Sequence, residues 1–214
     1  MVNPPRHFVY KMTTDNGGAP CVAGGLLTLA ICKPLVRSSA EVGDWVYGIG
    51  GVPLSGRLIY IAQIDDKVIN GGYYREEKYS NRDDCIYEYM NDRYCRRGNA
   101  KYHSGESNIE TDLGKSDEGY PRANVLLSKN FRYLGDKGIT LGGMKGEYPG
   151  IKALLDTLTQ GHRVNHDPDL VEELEKLHKE LWDEHRDVMQ VGEPSHKDPS
   201  EVCSCDCGSE EISR

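Results

Sequence analysis

Short apolar runs that end at glycine, proline or paired aspartates constrain this chain more than any other feature. HFVYKMTT (7–14) alternates and stops at the turn signal DNGGAP, and GLLTLAICKP (25–34) stops at Pro34. GDWVYGIGG (43–51) is bracketed by glycines. RLIYIAQIDD (57–66) is the clearest strand, β-branched and closed by Asp65 and Asp66. NVLLSKNFRYLGD (124–136) adds one or two more. Strands of this kind, separated by glycine-rich turns, predict a small β-barrel or a strongly twisted sheet. A membrane span needs about 20 apolar residues in a row, and the longest apolar-leaning run is GGLLTLAI (24–31).

The back of the chain changes character. KGEYPGIKALLDTLTQGHR (145–163) reads as a helix from Pro149 stopped by Gly161. A second helix follows, with Asp167 as N-cap and Pro168 at the first helical position, running to about Met189. Leu170, Leu174, Leu177 and Leu181 form its apolar stripe, and Trp182 serves packing. At 214 residues the fold class is therefore α+β in one domain. Residues 1–165 form the core, 166–190 a helix docked on it, and 191–214 an acidic, cysteine-bearing tail without an apolar period, expected to be disordered. In the middle, a tyrosine-rich stretch holds eight of the 13 tyrosines between Tyr73 and Tyr120. Residues 74–79 are expected to form a turn of helix there and 98–119 a loop.

Charge is placed unevenly. Residues 1–150 hold 19 basic against 18 acidic side chains, and residues 151–214 hold 7 against 16. The front part has too little positive excess for a protein that lives on the phosphates of duplex DNA, whereas a nucleotide or a few nucleotides suit it. The first residues contain no apolar signal segment, which gives the expectation of a cytoplasmic protein with no membrane partner. Seven cysteines are then thiols in a reducing compartment. Cys203, Cys205 and Cys207 alternate but do not complete a tetrahedral zinc set. His178 and His185 are expected on a solvated helix face. No metal or cofactor is assigned.

The succession KMTTDNGGAPC, GLLTLAICKPLVR, GDWVYGIGG, LIYIAQI, YSNRDDCIYE, FRYLG and GHRVNHDPDLVEELEKLHKELW resembles the second nucleotide-modification-associated domain family, from about Phe8 to Trp182. The resemblance implies a bacterial or phage protein linked to modified bases in nucleic acids. It brings no catalytic residue set with it. The pattern at 43–50 is also similar to strands of the wider PUA-like superfamily, which implies a PUA-like core by analogy.

Candidate ligand-binding residues cluster at the exits of the apolar strands. Asp15 and Asn16 precede Gly17 and Gly18, where backbone amides can approach a ligand and the side chains can read a base edge; a self-satisfied Asx-turn is the structural alternative. Cys21 closes that loop. Lys33 and Arg37 follow a buried strand and suit a phosphate or a carbonyl, or simply face solvent. Trp45 can stack on a base or pack in its strand. Arg82 with Asp83, flanked by Tyr87, can read a base edge and a phosphate together, or cap a polar loop. Phe131 belongs to the core.

The leading expectation is a binder of a nucleobase, nucleotide or short single-stranded nucleic acid, with these residues meeting at one pocket. The alternative is an enzyme acting on such a base, with Lys33 or Asp83 in the chemical step. A third reading is a protein–protein adaptor using the acidic helix and tail.

Overall fold

The computed structural model describes residues 4–105, 107–159 and 161–196. In chain order the first elements are β1 (His7–Met12), β2 (Cys21–Ala23), β3 (Leu26–Leu29), α1 (Pro34–Ser39), β4 (Trp45–Gly50), β5 (Arg57–Gln63) and β6 (Asp66–Val68). The middle holds α2 (Gly72–Arg75), β7 (Tyr87–Met90), β8 (Arg93–Arg96), α3 (Ser107–Leu113), β9 (Val125–Ser128) and β10 (Asn130–Tyr133). Last come β11 (Ile139–Thr140), α4 (Pro149–Thr157), β12 (His162–Arg163) and α5 (Pro168–Glu184).

A six-stranded sheet has the order β10-β5-β4-β1-β12, with β11 continuing along β5. A four-stranded antiparallel sheet, β2-β3-β9-β6, lies behind it, and β7 and β8 form a separate ribbon. The mixed α+β class is as expected. The barrel is not: β10 and β12 are unjoined edges of the first sheet. The reason lies in one pairing. β1 and β4 run parallel, and a parallel neighbour needs a crossover rather than a tight turn. Residues 13–44 supply that crossover as β2, β3 and α1, so these strands build a second sheet instead of closing the first.

Side-chain alternation then produces three cores. Phe8, Tyr10, Val46, Phe131 and Tyr133 of the first sheet meet Leu27, Leu29 and Leu126 of the second. The register slips between Gly48 and Ile49, so Leu58 and Ile61 both face the other way, toward α4 and α5. Gly48 is required at this bulge: a Cβ there would lie 2.2 Å from the Tyr60 ring. Beneath α5, Leu174, Leu177 and Leu181 pack on Tyr47, Ile49 and Leu58, with each leucine contributing about 1.5–3 kcal/mol by burial. Asp167 caps this helix by accepting from the Leu170 amide at 2.9 Å, and the helix ends at Glu184 rather than Met189. The third core, under the second sheet, is the tyrosine layer: Tyr73, Tyr74, Tyr79, Tyr87, Tyr94 and Tyr102 with Cys32, Cys85, Ile86 and Leu113.

Two expectations along the chain change here. The stretch expected as loop contains α3, which brings Asp112 inward. The tail expected to be undocked begins as a strap: the Val191 amide donates to the Tyr133 carbonyl at 2.8 Å, and the Ser195 amide and hydroxyl donate to Asp15 Oδ2 at 3.0 and 2.9 Å. Residues 197–214, with Cys203, Cys205 and Cys207, lie outside the described residues. Among the described residues, no helix is long and apolar enough to cross a membrane.

Candidate functional site

The strand-to-helix connection after β3 takes an unusual path. Cys32 (φ 55°) and Lys33 (φ 43°) are consecutive left-handed residues with side chains, a conformation that costs roughly 1–2 kcal/mol each, before Pro34 starts α1. Two buried groups hold the elbow in place. Arg37, fully buried one turn into α1, donates from Nε to the Cys32 carbonyl at 2.7 Å, and the Cys32 amide donates to Asp112 Oδ1 at 2.8 Å. The remaining Arg37 nitrogens donate to the carbonyls of Arg122, Asn124 and Asp112. Its charge lies 3.7 Å from Asp112 Oδ1.

Asp112 is the centre of this arrangement. Oδ2 accepts from the Tyr87 hydroxyl at 2.7 Å and meets His103 Nδ1 at 2.6 Å. On the far side of the imidazole, His103 Nε2 lies 3.2 Å from Cys32 Sγ. Burial by itself would raise the Asp112 carboxyl, but the hydrogen bond and charge of His103, the charge of Arg37 and the Tyr87 hydroxyl outweigh it and hold the group below the usual carboxylate range. Burial first, and Asp112 second, push the Tyr87 hydroxyl far up, so it stays a donor. An ionised Asp112 only accepts, which assigns a proton to His103 Nδ1 and turns Nε2 toward the Cys32 thiol. The order is thiol, imidazole, carboxylate, the sequence of groups that activates a nucleophile.

A second buried carboxylate sits across the tyrosine layer. Asp84 accepts from Thr28 and from the Tyr73 hydroxyl (2.7 Å) and lies 3.5 Å from Arg82 Nε. Here burial prevails over Arg82, Thr28 and Tyr73, and the carboxyl is raised. Arg82 also donates to the carbonyls of Cys21, Ala23 and Leu26, which ties the β2–β3 hairpin to the layer. This network joins chain segments.

The expected pocket residues go to different places. Arg37 and Tyr87 meet at Asp112, while Arg82 and Cys21 meet at the hairpin. Burial pushes the Cys21 thiol up to about 12. The ion partner of Arg82 is Asp84; Asp83 is 50% exposed and pairs with Lys101 at 2.8 Å. Asn16 forms the Asx-turn, accepting from the Gly18 amide at 3.1 Å, and Asp15 anchors the strap and accepts from Tyr133 at 2.6 Å. Lys33 places its ammonium 5.1 Å from the Tyr10 ring centre, on the inner face of the first sheet. Trp45 lies on the opposite face, stacked 4.4 Å from His178. His178 is thus half-buried on the sheet-facing side of α5, not solvated as expected. Sequence reasoning did not single out Cys32, His103 or Asp112; the adjacency of Cys32 to a strand end and Pro34 was the available signal. A depression of about 520 Å³ opens beside α3 between Ile109, Glu110, Lys115 and Tyr120, and none of Cys32, His103 and Asp112 lines it.

Among the described residues, no group of three or more His, Cys, Asp or Glu side chains could hold a metal ion. No curated protein and no solved structure matches the chain. Its sequence does match a family of domains associated with nucleotide modification, and the match runs almost end to end. Across residues 4–201 the chain fits nucleotide modification associated domain 2, and it belongs to that family.

Proposed function

We propose that this protein is an enzyme of nucleotide modification, taking a nucleobase or nucleotide, free or in a short single strand, as substrate, with His103 as its proton-transfer group. The observation that carries the reading is the His103–Asp112 pair at 2.6 Å, with the second imidazole nitrogen aimed at a thiol. A base needs a defined tautomer and a fixed direction, and an ionised, fully buried carboxylate supplies both. Family membership supports a nucleobase or nucleotide as the substrate class.

The reader alternative loses support because the residues expected to grip a base are engaged elsewhere: Arg37 and Arg82 on backbone carbonyls, Trp45 under α5. The adaptor alternative weakens for a similar reason. Glu173 of α5 accepts from the amides of Gly150 and Ile151, and Glu180 from those of Lys145 and Gly146, so part of the acidic face grips the chain itself.

The test is to incubate the protein with nucleosides, nucleoside monophosphates and short single-stranded oligonucleotides, then resolve solution and protein-bound material by mass spectrometry. A product of new mass, lost in Asp112→Asn, is the expected result. A nucleotide retained unchanged would make the protein a reader. No product and no retained nucleotide would remove the reading.

A further inference from the structure

We infer that Cys32 is a covalent nucleophile, and that its target is the carbon of a polarised C=C or C=N bond in a nucleobase ring. The choice of target rests on the nucleotide reading above; the reactivity of the thiol does not.

Four features converge on this one sulfur. Cys32 stands at a left-handed elbow between a strand and a helix, where backbone of this kind persists only when its surroundings impose it. Its sulfur is 3.2 Å from His103 Nε2. His103 is held from behind by Asp112, and the same carboxylate takes the Cys32 amide. Arg37 ties the Cys32 carbonyl to the Asp112 backbone, which makes it a positioning residue. Among the described residues, the other buried cysteines, Cys21 and Cys85, have no imidazole–carboxylate pair beside them. Burial pushes the Cys21 thiol up to about 12 and the Cys85 thiol up to about 11.

The chemical step follows from the geometry. His103 Nε2 takes the thiol proton, and a sulfur electron pair forms a C–S bond with the ring carbon. The π pair of that ring bond moves to the neighbouring atom, which takes the proton back from the imidazolium. Thiol has added across the double bond with no change in oxidation state. Reversal, with His103 as base again, breaks the C–S bond and releases the base. Because Cys32 is 1% exposed, addition waits on a local opening. His103 belongs to a short loop tied down by Tyr102, whose hydroxyl donates to the Asn16 carbonyl at 3.1 Å.

The test uses the full chain and iodoacetamide, a small neutral electrophile, with each cysteine-containing peptide quantified by mass spectrometry from pH 5 to 9. Cys32 should be alkylated with an apparent midpoint below about 7.5, against about 8.5 for an ordinary thiol. His103→Gln should slow Cys32 labelling at pH 7 by roughly tenfold or more, and Asp112→Asn should move the midpoint upward. Cys21 and Cys85 act as internal reporters: if a variant unfolds, they label together with Cys32. Tyr102→Phe, which leaves the three groups in place, should accelerate Cys32 labelling. A midpoint near 8.5 that neither His103 nor Asp112 moves, or Cys32 labelling only in step with Cys21, would overturn the inference. Loss of nucleotide products with a reactive Cys32 would refute the substrate reading alone, whereas products formed by Cys32→Ser would refute the covalent step alone.

Discussion

The seam under α5 and the tyrosine layer around Asp112 are buried to the same degree by opposite means. Under α5, three leucines meet aliphatic and aromatic carbon, and burial alone supplies the attraction. In the tyrosine layer, Asp84, Asp112 and Arg37 are out of water, and each is paired and hydrogen-bonded. Apolar side chains of matching volume could replace such a network at little loss of stability. The layer is therefore explained better by what its groups can do than by what they hold together. The two carboxylates sharpen the point, since burial raises Asp84 while His103 and Arg37 keep Asp112 low. Environments that push two acids apart in this way separate structural from chemical roles.

The largest expected effect breaks the polar layer. Asp112→Ala strands the fully buried Arg37 and should destabilise the protein by about 3–5 kcal/mol, read as a shift in chemical-denaturation midpoint. A change below about 1 kcal/mol would mean the pair is not buried in solution. The seam comes next: Leu177→Ala should cost roughly 2–5 kcal/mol, the spread depending on how far the site collapses. A surface-like value would mean α5 is not part of the core.

Acid should separate the two regions without mutation. His7 lies against α5 through Tyr47, its Nδ1 3.0 Å from the Tyr47 hydroxyl, which donates to the Leu174 carbonyl. Burial first, then the charges of His166 and His178, lower His7 from 6.5 to about 4, against a raising contribution from Asp44. The folded state thus binds fewer protons than the unfolded chain in that window. Its stability is complete above pH 6.5 and declines as pH falls toward 4. Asp112, held low, stays ionised through most of the same window and contributes its loss only at more acid pH. The seam should loosen first, reported by Trp45 and Trp182, which meet edge to face at 5.5 Å. Simultaneous loss of near-ultraviolet tyrosine and tryptophan signals would contradict that order.

The smallest effect belongs to the neighbour of a large one. Asp83→Ala removes an exposed pair with Lys101 and should change stability by no more than about 1 kcal/mol. A loss as large as that for Asp112→Ala would mean that exposure does not separate the roles of these acids.

That neighbour also shows where the sequence stops being readable. Asp83 and Asp84 are adjacent, and nothing local says which one turns inward to Arg82; the choice is made by Thr28 and Tyr73 from other segments. Strand β5 and helix α5 were legible because period and capping are local properties, and the Asp167 cap stands where its residue type placed it. Helix α3 was not, since its seven residues contain only Ile109 and Leu113 as apolar anchors and its docking depends on Asp112. The parallel pairing of β1 with β4, which turns a barrel into layers, has no local signal either. Nor has the Cys32–His103–Asp112 series, whose thiol and imidazole are 71 positions apart.

We propose a division of labour in which the tyrosine layer serves chemistry and the α5 seam serves stability. Its most direct test measures unfolding midpoint and nucleotide product formation side by side in Asp112→Asn and Leu177→Ala. Asparagine keeps the shape of the carboxylate but carries no charge, so Asp112→Asn should lose stability through Arg37 yet still fold, and its folded molecules should lose product formation by about 100-fold or more. Leu177→Ala should lose stability while each folded molecule turns over at the wild-type rate. Full turnover by folded Asp112→Asn would contradict the account.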